Sequence, residues 1–532
     1  MWPEPVLSPD GRRVAYVNRA GKLEVQDLDR AQPRQIEGTE NAGFPFWSPD
    51  SNSIGFCAGG ELKKVEIHGG PPVLLCRLPR PSILGGAWSP DGNSIVFAAW
   101  PEGIFEVHSR GGTPARIIEH PRAWDPSFVP GRGRTLLYIA KRAGFAELIV
   151  HSLDTGKQAV LAKAVRLHKP SYSPTGHILY GFGSLYGYGG SSWALPFSLQ
   201  NLQATSDPFP IASPGDLPSA GNNGALAYLD SGLLRRQLIW RSRDGERLGA
   251  IPLRWPVAHL PRLSPDGRRV AVIVGKDDQW DVAVVELSSG LVTRLTSDLA
   301  EKSRPTWSPN GDRVVFASVY GDRAAVLAKT AGGGEGAEVL LEGMNVSSVE
   351  DWSRDGRHIL VVEEAGRSRD VWNLTRKGDG GYERLPFLKN PVADELGPVF
   401  SPDGLHVAYE SNESGQPEVY VRRFPTGGGP WQVSTQGGRL PRWRGDGREL
   451  FFVEGDSVIA VEVATAPAFS IGERKRLFDC RLCFAVFGHQ YDVSADGRRF
   501  ILSEPPEHPP RPVIRVVLNW FGEFRDRKTR PN

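Results

Sequence analysis

The stretch Trp47-Ser48-Pro49-Asp50, followed by Ser53-Ile54-Gly55-Phe56, indicates how this chain folds. Proline presets the first position of a tight turn, Asp or Asn tolerates the second, and a glycine that follows in most copies supplies a positive φ. The bulky residue before the serine ends one strand, and the alternating apolar residues after the turn begin the next. The stretch therefore predicts a β-hairpin.

The hairpin pattern returns along the whole chain of 532 residues. Its twelve copies, some of them drifted, begin at Leu7, Trp47, Trp88, Phe128, Tyr172, Asn223, Leu263, Trp307, Trp352, Phe400, Trp443 and Val493. Their spacing of roughly 40 to 50 residues is that of a four-stranded β-propeller blade. Each copy contains only short apolar runs, so neighbouring blades must cover both of its faces.

The arrangement of the repeats predicts two rings. Twelve blades in one ring would leave a wide, wet hole, and Ser-Pro-Asp-Gly-Arg-Arg-Val-Ala occurs six repeats apart, from Ser8 and from Ser264. We therefore predict an all-β fold of two tandem six-bladed β-propellers with four-stranded antiparallel blades. The predicted rings are residues 1–254 and 255–532, with 237–240 closing blade six. In the eighth repeat the pattern predicts strands at 304–307, 314–316, 325–328 and 339–341.

Composition excludes several classes of partner. Hydrophobic residues make up 40% and charged residues 23% of the chain, and its net charge is +2. So small a net charge creates no overall electrostatic field that would attract nucleic acid. The chain also has no run of about 18 apolar residues, so no membrane span is predicted. The N-terminus lacks the basic and apolar regions of a signal peptide. We expect a monomer that is cytoplasmic as written, or extracytoplasmic if the chain is a fragment of a membrane receptor.

Residues typical of metal and redox chemistry are sparse. Cys480 and Cys483 have redox or zinc spacing, but a structural zinc site would need a second such pair. We expect ordinary thiols, with a local disulfide as the alternative. The eleven histidines include no His-Glu-x-x-His motif, so no metal, cofactor or catalytic residue is predicted.

Two repeated positions have structural interpretations. The turn aspartates are expected to cap their own turns, because one Asp per blade spreads them around a ring; they are Asp10, Asp50, Asp91, Asp266 and Asp403. The bulky residue that ends each inner strand, here called the wedge residue, is expected to pack between neighbouring blades. Five wedge residues are tryptophans: Trp47, Trp88, Trp307, Trp352 and Trp443.

The Ser-Pro-Asp-Gly blades resemble the TolB-like, WD-like (PD-type) propeller repeat of bacteria. Several segments are also similar to the C-terminal sensor half of receptor serine/threonine protein kinases of the acidobacterial type: 46–51, 62–65, 69–72, 418–425, 431–434 and 516–520. The resemblance covers nearly all of the chain and implies a sensing module. The Gly-rich loop, His-Arg-Asp and Asp-Phe-Gly motifs of a kinase are absent, so phosphoryl transfer is not implied.

The predicted function is a non-catalytic sensor, or a ligand- or protein-binding module. Its ligand would be an unknown protein, peptide or glycan, and a kinase encoded nearby is a candidate partner. One alternative is a propeller lyase or hydrolase with its active site at the channel mouth, although no Gly-x-Ser-x-Gly elbow occurs. Another alternative is a TolB-like scaffold of the cell envelope.

The candidate ligand-binding residues lie on the segments that enter the inner strands, which we expect to be loops around one channel mouth. In the predicted rings these residues are His168, Lys169, His259, Lys302, Arg304, Glu350, Arg439 and His489. The insertion at 182–190 adds Tyr186 and Tyr188 between glycines, a composition that suits stacking on a sugar or gripping a peptide. The alternative is a poorly ordered insertion.

Overall fold

The computed structural model of the chain is built from β-strands and turns. It describes residues 4–18, 20–79, 83–142, 145–164, 166–183, 190–213, 215–230, 236–253, 255, 257–276, 279–298, 300–320, 323–334, 336–343, 345–365, 368–425, 428–480, 484–485, 488–505 and 513–522. In these ranges there is no helix long and apolar enough to cross a membrane.

The chain forms two compact units. Unit 1 consists of Met1–Gly232 and Pro510–Asn532, and unit 2 of Leu233–Pro509. The described strands of unit 1 are β1 (Val6–Leu7), β2 (Arg13–Val17), β3 (Leu23–Asp27), β4 (Arg34–Gln35), β5 (Gly43–Trp47), β6 (Ser53–Ala58), β7 (Glu61–Glu66), β8 (Val73–Arg77), β9 (Gly86–Trp88), β10 (Ser94–Ala99), β11 (Gly103–His108), β12 (Ala115–Ile118), β13 (Ala123–Phe128), β14 (Thr135–Arg142), β15 (Phe145–Ser152), β16 (Gln158–Ala164), β17 (Leu167–Ser173), β18 (His177–Phe182), β19 (Ser191–Ser198), β20 (Gln203–Ala204), β21 (Phe209–Ala212), β22 (Asp216–Ala220), β23 (Leu226–Asp230) and, at the far end of the chain, β50 (Val513–Val517).

Unit 2 contains the intervening strands. They are β24 (Gln237–Ser242), β25 (Arg247–Ala250), β26 (Val257–Leu263), β27 (Arg269–Lys276), β28 (Gln279–Glu286), β29 (Val292–Arg294), β30 (Glu301–Trp307), β31 (Arg313–Tyr320), β32 (Arg323–Thr330), β33 (Glu338–Glu342), β34 (Val346–Trp352), β35 (His358–Ala365), β36 (Ser368–Arg376), β37 (Tyr382–Leu388), β38 (Glu395–Phe400), β39 (His406–Ser411), β40 (Glu418–Arg423), β41 (Trp431–Gln432), β42 (Arg439–Trp443), β43 (Glu449–Glu454), β44 (Ser457–Ala464), β45 (Ser470–Asp479), β46 (Phe484–Ala485), β47 (Gly488–His489), β48 (Tyr491–Val493) and β49 (Arg499–Glu504). Strands β30 to β33 confirm the four predicted for the eighth repeat and extend them.

In the described part of each unit six antiparallel sheets form a ring, which confirms the predicted fold class of two six-bladed β-propellers, and unit 2 also contains the two-stranded sheet β46-β47. Most sheets are meanders of four consecutive strands, such as β5-β6-β7-β8 and β30-β31-β32-β33. Apolar clusters fill the seams between successive sheets, and in unit 1 the cluster of Leu7, Val14, Ala225 and Ala227 joins the sixth sheet to the first. The core of each unit is therefore a set of seams around an axis.

The closing sheets of both rings combine distant segments. The sixth sheet of unit 1 is β22-β23-β50, and the closing sheet of unit 2 is β25-β24-β49-β48. The division therefore differs from the predicted boundary at 254/255. Residues 237–242 do not close the first ring; they pair with 499–504 in the second. The chain leaves unit 1 before its sixth sheet is complete and returns to it at residues 513–517.

The inner strands carry a recurring β-bulge that the sequence analysis did not predict. In seven sheets a non-glycine residue with positive φ stands before a proline, and the ladder shifts register there; these residues are Phe44, Asp125, Lys169, Leu217, Leu260, Arg304 and Leu440. A bulge leaves one residue unpaired, so a proline at this position costs no ladder hydrogen bond. Residues around these bulges line the central cavities of both units.

The turn aspartates cap their own turns, as predicted. Ser48 Oγ donates to Asp50 Oδ1 at 2.5 Å, and the backbone N–H of Asn52 donates to the same oxygen at 3.1 Å. The equivalent bonds recur at Asp10, Asp91, Asp266 and Asp403. These carboxylates therefore hold the hairpin tips.

The wedge prediction is confirmed for four of the five tryptophans, whereas Trp88 is only half-buried. Trp47 Nε1 donates to the carbonyl of Val6 in the preceding sheet at 2.9 Å, and Trp443 Nε1 donates to that of Val399 at 3.2 Å. The Trp88 indole instead donates to Gly92 in its own turn. The expectation of ordinary thiols is wrong for Cys480, which is disulfide-bonded, whereas Cys57 and Cys76 are free.

Candidate functional site

A cavity of about 830 Å³ lies at one end of the inner strands of unit 2. Its wall includes the wedge position of all six sheets and several of the Ser-Pro-Asp-Gly turns. We call this cavity the funnel. The residue directly before each wedge residue also lines it, and we call these six side chains the floor: Arg262, Thr306, Asp351, Val399, Arg442 and Asp492.

Two arginines and two aspartates of the floor form an ion-paired group. Arg262 Nη2 donates to Asp351 Oδ1 at 3.0 Å, and Arg262 Nη1 lies 3.8 Å from Asp492 Oδ1. Arg442 Nε lies 3.2 Å from the same Asp492 oxygen. The Arg442 and Asp492 side chains are 6% and 10% exposed, and those of Arg262 and Asp351 are 16% and 18% exposed. The floor therefore has a balanced charge and little contact with water.

The two aspartates also hold seams between sheets. Asp492 Oδ2 accepts the backbone N–H of Leu263 in the next sheet at 2.8 Å, and Asp351 Oδ2 accepts that of Phe400 at 2.9 Å. In unit 1 a hydroxyl does the same, because Ser219 Oγ accepts the N–H of Leu7 at 2.9 Å. A neutral acceptor is therefore sufficient for this seam, and the carboxylate charge is an addition specific to unit 2.

Burial and neighbouring charges shift the pKa values of the charged floor residues in different directions. Burial, together with the nearby Arg262 cation, lowers the pKa of Arg442 to about 10. Burial also lowers the pKa of Arg262, but the carboxylates of Asp492 and Asp351 outweigh it and raise the value overall. Burial raises the pKa of Asp351 despite its arginine partner. Both arginines therefore stay cationic at neutral pH.

In unit 1 a cavity of about 110 Å³ is lined by most of the positions equivalent to the floor and by the prolines just before them. Its floor positions carry no charged side chain: Val6, Phe46, Ala87, Ser127, Ser171 and Ser219. Its charged residues stand two positions earlier, where Lys169 Nζ lies 2.9 Å from Glu4 Oε2 and 3.7 Å from Asp125 Oδ1. The same ring architecture therefore forms without ion pairs on the floor.

Most of the predicted site residues lie in the inner strands and not in the loops before them, because these strands begin earlier than the pattern indicated. His168 and Lys169 are in β17, His259 in β26, and Lys302 and Arg304 in β30. Glu350 and Arg439 also lie in strands, β34 and β42. The predicted loop positions are therefore wrong for these residues, while their role in ligand binding stays a prediction.

Two of the predicted cations of unit 2 are buried within the fold. His259 is fully buried, its Nδ1 lies 3.4 Å from Gln490 Oε1, and its ring centroid is 5.4 Å from that of Trp280. Burial holds the pKa of His259 well below its usual value. Lys302, also fully buried, donates from Nζ to the carbonyl of Asp298 at 2.8 Å. Neither side chain is exposed at a channel mouth.

The structure brings two other predicted residues together. Arg304 pairs with Glu350, and both line a cavity of about 10 Å³ that also includes Arg262 and Arg442. Arg439 Nη1 donates to Glu410 Oε1 at 3.1 Å. Tyr186 and Tyr188 lie outside the described residues. His489 is in β47, and its side chain is outside what the structure describes.

His168 forms an intersheet contact that we expect to make unit 1 pH-sensitive. Its Nε2 lies 2.6 Å from Asp216 Oδ1. Burial lowers the pKa of His168, but Asp216, helped by Asp125 and opposed by Arg166, raises it overall from the ordinary 6.5. The charged form thus stabilises the fold fully below about pH 6.5, and this contribution is lost as pH rises through the raised pKa.

Urea unfolding measures this effect. The wild type should be more stable than His168→Gln at about pH 5.5, and the difference in their free energies of unfolding should shrink towards about pH 8.5. A difference that does not change with pH would contradict a charged His168 paired with Asp216.

The floor residues were missed because the sequence analysis placed the site on the segments entering each strand. A signal was present one residue before the wedge position. Pro-Arg precedes Leu263 and Trp443, and Glu-Asp precedes Trp352, whereas the first six repeats have apolar or hydroxyl residues there. Charge that recurs at one repeat position in only one ring would have identified the site.

Comparison with known proteins supports the type of repeat. Residues 256–385 match the family model of the TolB beta propeller domain, PD40. These repeats are TolB-like. The chain is 26% identical over 163 residues to the uncharacterized peptidase YuxL of Bacillus subtilis, covering 29% of this chain and 21% of that protein. It is 22% identical over 166 residues to a TolB homolog of Chlorobium luteolum, covering 31% and 36%.

The solved structure of a putative TolB from Agrobacterium tumefaciens is also similar, with 18% identity and a TM-score of 0.41. The match covers 52% of this chain and 99% of that one. In contrast, this chain spans only about a fifth of the length of the Bacillus subtilis relative and about a third of that of the Chlorobium luteolum relative.

Proposed function

We propose that this chain is a non-catalytic ligand-binding propeller protein whose binding site is the funnel of unit 2. The observation that carries the proposal is the floor: four charged, largely buried side chains close a cavity of about 830 Å³, at positions that are uncharged in unit 1. Cavities of about 300–1,000 Å³ are typical of small-molecule sites.

Stability does not account for these ion pairs. Burying a charged pair costs desolvation that its mutual attraction only partly offsets, so such pairs contribute little to folding. Unit 1 forms the same six-sheet ring with Val6, Ala87 and three serines among its floor residues. A few fixed polar groups in a cavity do, however, set the orientation of a bound molecule. Ligand recognition therefore explains the floor better than folding does.

The resemblance to kinase sensors suggests what the binding is for. In this proposal ligand occupancy of the funnel is the signal, and a kinase encoded nearby is the partner that reads it. The peptidase named among the relatives gives the rival function, hydrolysis of a peptide. Incubating the purified protein with a mixture of short peptides separates them, because a binding module leaves every peptide intact and a hydrolase shortens some of them.

Blocking the funnel tests the site directly. Ala495 is exposed in the turn of the closing sheet and lines the funnel, so Ala495→Trp should fill the mouth while leaving the hairpin intact. Ala464→Trp is the matched control, since Ala464 is exposed at the end of β44 and does not line the cavity. We expect compounds that raise the melting temperature of the wild type, from a panel of amino acids, organic acids and sugars, to lose that effect only in Ala495→Trp. Equal shifts in both variants would place binding elsewhere.

A further inference from the structure

We propose that Glu395 is a pH-sensitive group, protonated in the folded protein under mildly acidic conditions, whose ionisation destabilises unit 2. The inference goes beyond the proposed function, because it concerns the stability of the unit that contains the funnel and does not depend on a ligand. Glu395 begins β38, the inner strand of the sheet β38-β39-β40-β41. Phe400, at the other end of this strand, lines the funnel.

The carboxyl group of Glu395 is buried with a single hydrogen-bond donor. The residue is 3% exposed, and Ser411 Oγ donates to its Oε1 at 3.1 Å. Its Oε2 is buried and has no hydrogen-bond partner in the described part of the chain. A buried charge that lacks a cation and donors is costly, whereas the neutral acid costs much less. The surroundings of Glu395 therefore favour its protonated form.

Glu418, in the same sheet, shows how a buried carboxylate is otherwise satisfied. It is 1% exposed and accepts hydrogen bonds from Gln416 Nε2 at 2.6 Å, from the backbone N–H of Gly437 at 2.9 Å and from the Ser434 hydroxyl. Both of its oxygens therefore have donors. Glu395 is buried almost as completely and lacks such a shell.

The charges that act most strongly on Glu395 are negative. Burial raises the pKa of Glu395 from the ordinary 4.5 to about 7, and the carboxylates of Glu413 and Asp370 act in the same direction. The Ser411 hydroxyl and the more weakly acting Arg422 oppose this shift without cancelling it. Asp370, on the neighbouring sheet, is itself only 4% exposed. An ionised Glu395 would thus add a negative charge where others already stand.

The other ionisable side chains on the strands that pack against β38 offer no compensation. Four ion pairs engage most of them: Arg304–Glu350, Glu363–Arg384, Arg369–Asp394 and Glu410–Arg439. Three stand at the opposite, turn ends of their strands: His358, Arg376 and His406. Asp351 and Arg442 belong to the floor, the charge of Glu364 acts on Arg369, and burial raises the pKa of Tyr409. No cation among these described groups is left to pair with Glu395.

Replacing Glu395 by glutamine tests the proposal, because glutamine has the shape of the protonated acid and cannot ionise. A folded-state pKa above the unfolded value means that stability is fully present below about pH 4.5 and is lost as the pH rises to about 7. The full-length wild type and Glu395→Gln are unfolded in urea from pH 4.5 to 8, and the transition of unit 2 is followed. The folding equilibrium constant of the variant, relative to the wild type, should rise on the order of 100-fold over this interval. A ratio that does not change with pH overturns the inference.

Two further variants assign the effect to the surroundings of Glu395. Asp370→Asn removes one neighbouring negative charge, so unit 2 of this variant should lose less stability than the wild type between pH 4.5 and 8. It supplies the test if Glu395→Gln does not fold, and an equal loss overturns the inference.

Glu418→Gln is the matched control. The oxygens of Glu418 already accept hydrogen bonds, so an amide NH₂ would face a donor and destabilise unit 2 at pH 8. Glu395→Gln should stabilise unit 2 at the same pH. Equal stabilisation by both substitutions would show that removing any buried carboxylate suffices, and would overturn the role given to Glu395.

Discussion

Deleting residues 510–532 should unfold unit 1 and leave unit 2 folded. The deleted segment contains β50, which supplies the third strand of the sixth sheet by pairing its five residues with Leu226–Asp230. Ile514 and Val516 of this strand pack on Leu7 and Val14, at the seam that joins the sixth sheet to the first. The deletion therefore removes the strand at which the ring of unit 1 closes.

The deletion should destabilise unit 1 strongly, because it removes a buried tryptophan together with the closing strand. Trp520, also deleted, is 1% exposed and packs on Leu179, Ala194 and Leu226. Losing one such side chain costs about 3–5 kcal/mol, and a whole domain is stable by only about 5–15 kcal/mol. Unit 2 keeps its closing strands, since β48 ends at Val493 and β49 at Glu504, both before the deleted segment.

Calorimetry and limited proteolysis would check this expectation. The wild type should show transitions for both units, and the deletion variant should lose that of unit 1 and yield a protected fragment close to residues 233–509. Trp520→Ala alone should lower the unit 1 transition without abolishing it. Two unchanged transitions in the deletion variant would show that β50 is dispensable.

Local chemistry is why much of the fold was predictable. The bonds from Ser48 and Asn52 to Asp50 lie within one turn, so the turn is encoded by six consecutive residues and recurs wherever they do. The strands of the eighth repeat follow from its apolar alternation in the same way. Ring closure is different, because Gln237–Ser242 pairs with residues more than 250 positions away, and its own pattern is that of any blade strand.

The candidate site was only partly predictable for a related reason. The sequence pattern indicates which charged residues lie near a channel, but not which of them are buried or paired within the protein. Lys302 and His259 looked available and are fully buried, whereas Arg262 and Arg442 stood one residue before a wedge position and were overlooked. The bulge at Leu260 and Leu440 shifts the register just before these arginines, and simple strand alternation does not anticipate it.

Replacing Trp307 by alanine should destabilise unit 2 by about 3–5 kcal/mol. The indole is 5% exposed, its Nε1 donates to the carbonyl of Arg262 in the preceding sheet at 2.8 Å, and the guanidinium of Arg269 lies 4.9 Å from the ring centroid. Alanine would leave a cavity in the seam and an unsatisfied carbonyl beside the floor. Trp307→Phe, which keeps most of the volume but loses the hydrogen bond, should cost less, about 1–3 kcal/mol.

Trp88 provides the internal comparison for this prediction. It occupies the same repeat position in unit 1, but it is half-buried and its Nε1 donates to Gly92 in its own turn at 3.0 Å, not to a neighbouring sheet. Trp88→Ala should therefore destabilise unit 1 clearly less than Trp307→Ala destabilises unit 2. Urea unfolding with the two transitions assigned to their units measures both losses. Equal losses would mean that the hydrogen bond from the wedge residue to the neighbouring sheet adds nothing to stability. Packing in the seams would then depend on side-chain volume alone.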